Sequence, residues 1–514
     1  MKKIFIPALF ATFAASFCVG QTVDSKLYRD FAAHKSSSIL PDFSYVGYHR
    51  GEDAIPSPNL KIFDVTAYGA IANDDSSDKQ AIVKAIKAAE ANGGGIVFFP
   101  KGRFLINEDG DDGKTINITG SNIIFRGSGS APGGTELFMK NPLHPVDTTK
   151  MWTTPPMFIF GSKAKKKTMG QVTATAATGD FKIKVNTNSL HPGDWIELAM
   201  LSTDPALLKA ELGDHQANPA WKSLLKDGID VHVVHQVKAV NGNEITLYQP
   251  LTYNINPADK WTVSVLPCAE EVGIEHIAFV GNWTRKFVHH RSWMDDSGYT
   301  LINLRQIVNS WIVDCRFTDV NVGAIVGRGA QVSVLNCSIT GNGGHEAITC
   351  NGGTNVLLGK IVEEASTWHS VGVAAGSMNT VIWRVKYPST TSFETHSSQP
   401  RNTLLDNVEG GLQYGRGGGA MENMPNHMQG LILWNYKQTN EAVIPFSFWP
   451  ETVTPWWRVP YPIIVGFHGA KTQFTRSELK YEESTGQAVE PGSLYEAQLK
   501  LRLGKLPDWL KQLK

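Results

Sequence analysis

A short phrase rich in apolar and β-branched residues occurs six times between residues 301 and 437. The copies end at Cys315, Cys337, Lys360, Arg384, Asn407 and Asn435. The steps between these ends are therefore 22, 23, 24, 23 and 28 residues. A strand-like unit that recurs at this period is typical of a solenoid, in which each turn buries its apolar side by stacking on its neighbours. Helical periodicity is absent from the phrase, so we predict a parallel β-helix.

Composition narrows the class of protein further. The chain has 514 residues, of which 42% are hydrophobic and 19% charged, which is typical of a folded protein. This length suits one large solenoid or a few ordinary domains. Forty-eight basic residues balance 48 acidic ones, so bulk charge gives no reason to expect a nucleic-acid partner.

The first residues resemble a targeting signal. Two lysines precede an apolar run at residues 4–17, and small residues follow it, which predicts a secretory signal peptide at residues 1–20. Cys18 suggests a lipoprotein, but Phe17 stands where lipid attachment needs a small residue, so we do not expect lipidation. The apolar run is too short to span a membrane and no later segment is suited to do so. We therefore expect a secreted or periplasmic protein, most simply a monomer.

The mature chain opens with an extended lead-in at residues 21–60, and residues 61–168 form an N-terminal cap and the first turns of the coil. Four apolar residues of the cap follow the spacing of an amphipathic helix, namely Ile82, Ala85, Ile86 and Ala89. The apolar run at 96–99 then predicts a buried strand, and Pro100 begins a turn.

The stretch from Phe63 to Phe104 resembles the N-terminal segment of the pectate-lyase-like superfamily. The resemblance implies an all-β fold, a right-handed parallel β-helix whose open end is capped by a helix. The same segment precedes lyases, glycoside hydrolases, epimerases and phage tail-spike proteins. It therefore specifies the fold and leaves the reaction open.

Three further regions complete the predicted domain organisation. Residues 169–266 alternate apolar and polar side chains between turn signals, which predicts an inserted small antiparallel β subdomain. Residues 267–440 form the main β-helix with the expected active groove. Residues 441–514 form a C-terminal cap or tail, with a short helix near 495–503.

Four cysteines remain after removal of the signal peptide. Cys315 and Cys337 stand at equivalent positions one repeat apart, so we expect them to stack in the core as a small apolar ladder. A disulfide between them is the alternative. No Cys-x-x-Cys spacing indicates a thiolate metal site.

A column of charged side chains is the strongest functional signal. Residues at the same offset in successive turns of a β-helix lie above one another, about 4.7–4.9 Å apart. Nine residues past successive phrase ends stand Ala324, Glu346, His369, Phe393 and Arg416, with Glu394 and His396 just beyond Phe393. Such a strip, roughly 15 Å long, could lie along a few sugar units. A solvated ladder of charges is the alternative.

Two segments, 395–411 and 415–435, resemble the active-side segments of secreted polysaccharide-degrading β-helix proteins. The matching positions hold His396, Gln399, Arg401 and His427, and an arginine replaces the aromatic residue expected at one of them. The resemblance implies a polysaccharide substrate. The candidates for substrate binding are Glu346, His345, Glu394, Gln399, His427 and Glu422.

This set favours cleavage of an acidic, uronic-acid-containing plant or algal polysaccharide by β-elimination. Arg401 or Arg416 would neutralise the C5 carboxylate. His396 or His369 would remove the C5 proton, because imidazole titrates near neutral pH. Tyr414 or a second histidine would protonate the leaving oxygen. A bound Ca²⁺ could replace arginine as the neutralising cation.

Two other functions stay open. Glu346 and Glu394, about 10 Å apart if they lie two turns apart, could hydrolyse a glycosidic bond as paired carboxylates. The paired aspartate motif of polygalacturonases is absent, and the excess of histidine and arginine over carboxylates favours the lyase. Alternatively, exposed tryptophans such as Trp368 could bind carbohydrate without catalysis.

No motif in the sequence specifies a cofactor, and Ca²⁺ is the one candidate, because one loop could bind it. This loop contains four carboxylates, those of Glu108, Asp109, Asp111 and Asp112. The spacing of an EF-hand is missing, so a solvated acidic loop is the alternative.

Overall fold

Three parallel β-sheets form the walls of the coil, and each turn of the chain adds a strand to them in sequence. The structure is a computed structural model that describes residues 23–414, 416–452 and 454–513. The signal peptide predicted at 1–20 lies outside the described residues. The predicted all-β parallel β-helix is confirmed by this topology.

The largest sheet, sheet I, has thirteen strands within the described residues. It contains Ile62–Asp64, Gly95–Phe98, Ile123–Arg126, Ala269–Glu270, Gly273–Glu275, Ile307–Val313, Gly329–Leu335, Thr354–Gly359, Met378–Trp383, Arg401–Asp406, Leu431–Trp434, Ile463–Val465 and Tyr481–Glu483. Its inward side chains form an aliphatic ladder through Ile312, Val334, Leu358, Ile382, Leu405 and Leu433. All six are fully buried, so stacking of like side chains from turn to turn builds the core.

Sheets II and III complete the coil. Sheet II contains Gly102–Ile106, Thr135–Met139, Ala278–Val280, Arg316–Thr318, Ser338–Thr340 and Val362–Glu363, and the pair Glu409–Gly410 and Lys437–Gln438 follows it. Sheet III contains Ile116–Ile118, Phe158–Phe160, Thr300–Leu304, Val322–Val326, Glu346–Asn351, Gly372–Ala374 and Glu394–His396.

An antiparallel sheet of six strands interrupts the early turns, in the region where the alternating pattern predicts a subdomain. Its strands are Lys167–Gln171, Lys182–Lys184, Trp195–Ser202, Ile229–Asn241, Glu244–Leu247 and Thr262–Val265. Its side chains Trp195 and Val234 pack against Val308 and Ala330 of the coil. The insertion therefore covers part of the outer face of sheet I.

Six α-helices occur in the described residues: Lys26–Ala33, Lys79–Ala91, Pro205–Leu212, Trp293–Asp296, Leu494–Leu503 and Asp508–Gln512. The predicted cap is Lys79–Ala91, which buries Ile82, Ala85, Ile86 and Ala89 against the first turns. No helix in the described part of the chain has the length and apolarity that crossing a membrane requires.

The N-terminal arm, residues 23–60, differs from the extended lead-in that we expected. It contains the helix Lys26–Ala33, because Leu27 and Phe31 form an apolar face that packs with the C-terminal helix Leu494–Leu503. The strand Val23–Asp24 also pairs in parallel with Val489–Glu490. The arm lies on the outer face of sheet I, beside Trp383 and Trp434.

Left-handed residues bracket the sheet I strands. Asn355, Asn379 and Asn402 precede the pairing core of successive strands with φ of 55°, 57° and 51°. Asparagine tolerates this conformation better than most residues, which explains why it recurs in the repeated phrase. Cys315 and Cys337 stand in neighbouring turns, buried and with free thiols, as the apolar ladder requires.

Candidate active site

Sheet III carries the charged strip on its outer face. In register, Gly372 pairs with Glu394 and Ala374 with His396, and Glu346 forms a bridge with His369. Strand alternation turns Phe393 into the core and leaves Glu394 and His396 on the other face. The predicted residues Glu346, His369, Glu394 and His396 are therefore brought together.

Glu394 and His396 form a carboxylate–imidazole pair. His396 Nδ1 hydrogen-bonds Glu394 Oε1, and the side chain of Glu394 is fully buried while that of His396 is 38% exposed. Burial disfavours the charged ring, but the charge and hydrogen bond of Glu394 and the charge of Glu346 raise the pKa of His396 to about 9. His396 is therefore an imidazolium at neutral pH, which suits a proton donor better than the base that we expected.

Glu346 lies against the carboxyl group of Glu394. Burial, and then the charge of Glu394, raise the pKa of Glu346 above its ordinary value. Two glycines make this crowding possible. A Cβ on Gly372 would lie 2.6 Å from Glu394 Cβ, and one on Gly418 would overlap both Glu394 Oε1 and His396 Nδ1. The site thus depends on glycine at both positions.

Three imidazoles lie next to this pair. The ring centroids of His345 and His369 are 5.2 Å apart. The ring centroid of His289 lies 5.5 Å from that of His345 and 5.8 Å from that of His369. Burial lowers the pKa of His369 well below its ordinary value, that of His345 to about 3 and that of His289 to about 4. All three rings are therefore neutral.

Arg416 and Trp368 form the rim of the site. The Arg416 guanidinium lies 3.7 Å from the centroid of the Trp368 ring, and the His289 ring stacks on Trp368 at 4.5 Å. Arg416 also donates hydrogen bonds to the carbonyls of Trp368 and Thr390, at 3.0 and 3.1 Å. These contacts fix the guanidinium over the aromatic face.

A cavity of about 400 Å³ opens beside this rim. Its lining includes three cationic side chains, Arg285, Lys286 and Arg416, and no acidic one. Arg285 and Lys286 are exposed, and the aromatic rings of Phe287 and Trp368 complete the apolar part of the wall. A cavity of this composition suits an anionic ligand with an apolar face.

Arg401, Gln399 and His427 lie away from the strip. Arg401 is buried and pairs with Glu211 of the insertion, Nε to Oε1, at 2.9 Å. Gln399 Oε1 accepts hydrogen bonds from Arg401 and from Asp230 N–H, so both residues fasten the insertion to the coil. His427 is fully buried and bonded to Thr403. The roles in substrate contact expected for these three residues do not fit their burial.

Tyr414 and Glu422 also lie outside the cluster. The Tyr414 ring stacks on Phe446 at 4.5 Å, and its hydroxyl accepts a hydrogen bond from Ser447 N–H. Glu422 is exposed on the short helix Met421–Asn423, which contacts the insertion. His345, in contrast to Tyr414 and Glu422, lies in the cluster, next to His289 and His369.

The acidic loop considered for calcium is already compensated by the protein. Lys140 Nζ lies 2.7 Å from Glu108 Oε2 and 3.4 Å from an oxygen of Asp109, and Lys79 Nζ lies 2.7 Å from Asp112 Oδ1. The remaining carboxylate, Asp111, accepts bonds from Ser77 and from Glu108 N–H. Two ammonium groups thus occupy the electrostatic role that a bound cation would play, and calcium binding here stays a prediction.

The loop at residues 281–292 was not predicted as part of the site. His289, His290, Arg285 and Lys286 all come from this loop, which lies outside the repeats and so has no register to read. A local signal was present, because two cations and two histidines stand within six residues.

The fold is a parallel β-helix, and its N-terminal part is similar to a pectate-lyase-like family. Residues 62–191 match the family described as Rhamnogalacturonase A/epimerase, pectate lyase-like. Residues 366–513, which include Trp368, His369, Glu394, His396 and Arg416, match a family described as a domain of unknown function, DUF4955. The expected resemblance to the pectate-lyase-like superfamily is confirmed. No curated protein matches the sequence.

Several solved structures are similar to this chain at low sequence identity. The tailspike protein gp49 from Pseudomonas phage LKA1 is 14% identical, with a TM-score of 0.47 over 83% of this chain and 79% of that chain. The catalytic domain of a GH87 alpha-1,3-glucanase in complex with nigerose is 9% identical, with a TM-score of 0.40 over 84% and 58%. PfbA, a surface adhesin of Streptococcus pneumoniae, is 10% identical, with a TM-score of 0.38 over 81% and 80%.

Proposed function

We propose that this protein is an exported enzyme that cleaves an acidic, uronic-acid-containing polysaccharide by β-elimination. The observation that carries the proposal is the cavity whose lining holds Arg285, Lys286 and Arg416. The carbonyl of Arg416 is bonded to His369, which forms a strand bridge with Glu346, so the cavity adjoins the strip that carries the proton-transfer groups. A chain of uronic acids presents a carboxylate on each such sugar, and clustered cations favour a polyanion over a neutral glycan. The Phe287 ring, which lines the cavity, offers an apolar face to a sugar ring.

β-Elimination needs a cation, a base and an acid, and one side chain of the site can supply each. Arg416 binds the C5 carboxylate and stabilises the negative charge that develops when the C5 proton leaves. Glu346 is the base, because its raised pKa makes its carboxylate a stronger proton acceptor than an ordinary glutamate. His396, kept protonated by Glu394, gives its proton to the leaving oxygen as the C4–O bond breaks and the C4–C5 double bond forms.

The arrangement of carboxylates favours elimination over hydrolysis. Glycoside hydrolysis by paired carboxylates requires the two groups to flank the bond, about 5–5.5 Å apart in retaining enzymes and about 6.5–9.5 Å in inverting ones. Glu394 is instead committed to His396, and its charge acts on Glu346 at close range. The two carboxyl groups therefore do not offer an independent acid and base on opposite sides of a glycosidic bond.

The test is a panel of polysaccharides incubated with the purified protein, including pectic, alginate-type and neutral glycans. Elimination yields unsaturated chain ends that absorb in the ultraviolet, and we expect this absorbance with acidic glycans alone. New reducing ends without absorbance would replace the proposal with hydrolysis. Binding without new ends would make the protein a carbohydrate-binding module. The His396→Ala variant is the inactive control, and His191→Ala, whose side chain is 78% exposed in the insertion, is the matched active control.

A further inference from the structure

We propose that His289, His345 and His369 form a binding site for a transition-metal ion of the Zn²⁺ class. One ring nitrogen from each residue lies within 4.8 Å of the other two. Three imidazole nitrogens with a fourth position left open are a typical ligand set for Zn²⁺ in enzymes. The proposal is independent of the elimination reaction, because none of the three histidines has a role in it.

The Nε2 atom of His345 gives independent support for a bound ion. Its Nε2 is buried and has no hydrogen-bond partner among the described residues. A buried polar atom without a partner is destabilising, so the position of such an atom calls for an explanation. A metal ion bound to this lone pair would supply the partner.

A backbone carbonyl orients the ring of His369. His369 Nδ1 lies 2.9 Å from the carbonyl oxygen of Arg416, which makes Nδ1 the protonated nitrogen and leaves the lone pair on Nε2. Metal-binding histidines in proteins are commonly held in this way, with the second ring nitrogen donating to a carbonyl or carboxylate.

The three-histidine set is better prepared than two neighbouring groups that share its members. In the group His290, Asp296 and His345, the Asp296 carboxylate already accepts a hydrogen bond from the backbone N–H of His290 at 3.0 Å. In the group His369, Glu394 and His396, Glu394 is bonded to His396. The three-histidine set contains no carboxylate, so none of its members is already paired with another member.

Ligand chemistry selects the metal. Imidazole nitrogens suit zinc, copper, nickel and iron, whereas calcium and magnesium prefer oxygen ligands. Tetrahedral coordination at about 2.0–2.1 Å needs nitrogens roughly 3.3 Å apart, so the ligands must draw together on binding. His289 lies in the irregular loop at 281–292, so no sheet hydrogen bonds fix its backbone.

The test is calorimetric titration of the chelator-treated full chain with ZnCl₂. We expect one ion per chain, and His289→Ala should weaken the affinity by about 100-fold or more, since loss of an outer-shell partner alone costs roughly 10–100-fold. The neighbouring variant His290→Ala is the matched control and should bind zinc as the parent does. No binding, or binding that His289→Ala leaves unchanged, would overturn the site. Loss with His290→Ala and not with His289→Ala would assign zinc to the other group.

Cobalt gives a second readout that does not depend on affinity. Co²⁺ in the parent should show the intense visible absorption of a four-coordinate site, and His345→Gln should abolish it while circular dichroism stays unchanged. A spectrum like that of hydrated Co²⁺ in the folded parent would contradict the proposal. Neither measurement uses a polysaccharide, so a negative result leaves the elimination proposal untouched.

Discussion

At the scale of single residues, the charges of His396 and Glu346 set the pH range of the proposed reaction. The donor His396 must be protonated, and its pKa of about 9 means that activity falls as the pH rises through 9. The base Glu346 must be ionised, and its raised pKa means that activity falls on the acid side already above the ordinary carboxyl range. We expect a bell-shaped profile of kcat/KM with its maximum on the alkaline side of neutral.

Removal of the donor should change the shape of this profile as well as its height. His396→Ala is expected to lower kcat by about 10²–10⁴-fold, the usual contribution of a positioned acid or base. The residual activity should no longer fall above pH 9, because the group that titrates there is gone. Full activity in this variant, with circular dichroism as for the parent, would exclude His396 from the reaction.

Arg416 allows a prediction about substrate charge. Arg416→Ala should lower kcat/KM on an acidic polysaccharide by roughly 10–100-fold, since a hydrogen bond to a charged group contributes about 1.5–3 kcal/mol. Arg476→Ala removes a guanidinium that is 87% exposed on the C-terminal segment, and should leave kcat/KM unchanged. Equal losses in both variants would point to bulk charge rather than to a binding site.

At the scale of elements, a buried ion pair strengthens the attachment of the insertion to the coil, beside the packing of Trp195 and Val234. Arg401 and Glu211 are 4% and 5% exposed, so Arg401→Ala leaves an uncompensated buried carboxylate. We expect a loss of about 3–5 kcal/mol in the free energy of unfolding, measured by urea denaturation. Lys209, on the same helix as Glu211, forms an exposed pair with Asp214, and Lys209→Ala should change the free energy of unfolding far less than Arg401→Ala.

The same variant separates a structural role of Arg401 from a role in substrate binding. If Arg401 only fastens the insertion, folded Arg401→Ala should keep the parent's KM at low temperature. A raised KM in the folded variant would restore Arg401 as a carboxylate ligand.

Within the insertion, His232 makes stability depend on pH. Its ring lies 2.8 Å from Asp230 Oδ1 and 3.4 Å from Glu197 Oε1, and these bonds raise its pKa to about 9. Because the folded pKa exceeds the ordinary 6.5, the stabilisation is complete below pH 6.5 and is lost as the pH rises through 9. His232→Gln should therefore cost about 1–3 kcal/mol at pH 6 and almost nothing at pH 10, by urea denaturation.

The partner Glu197 has the opposite dependence on pH. Burial opposes its ionisation, but His232 and Lys166 lower its pKa to about 2. Its contribution is present above the ordinary 4.5 and is lost as the pH falls through 2. An effect of His232→Gln that grew with pH would contradict the ion-pair interpretation.

At the scale of the whole molecule, the repeat and the capping pattern were sufficient to predict the coil, because stacked turns impose a period on the sequence. Two of the residues taken as equivalent phrase ends are nevertheless out of register by one position. Strand register aligns Asp314 and Asn336 with Lys360, so Cys315 and Cys337 stand one residue past the column. The three aligned residues share left-handed φ values of 53°, 54° and 54°, which shows that they are the structurally equivalent positions.

The candidate site was only partly within reach of the sequence. Glu346, His369, Glu394, His396 and Arg416 come from successive turns, so their order along the chain predicts their proximity. The loop at 281–292 and the burial of Arg401 follow from contacts between distant segments, which no local pattern encodes. Resemblance to active-side segments could not show that Arg401 faces the insertion, because the insertion occupies a different part of the chain.

The N-terminal arm has a consequence for how the coil comes apart. Turns of a solenoid touch only their neighbours, so an unsupported end can fray one turn at a time. Here Tyr48 N–H bonds Ser333, Gly47 N–H bonds Asn355, and the strand at 23–24 reaches Val489, so the arm ties together turns that do not touch one another. The arm thereby converts a chain of local equilibria into one cooperative unit, and the last turns open together or remain closed.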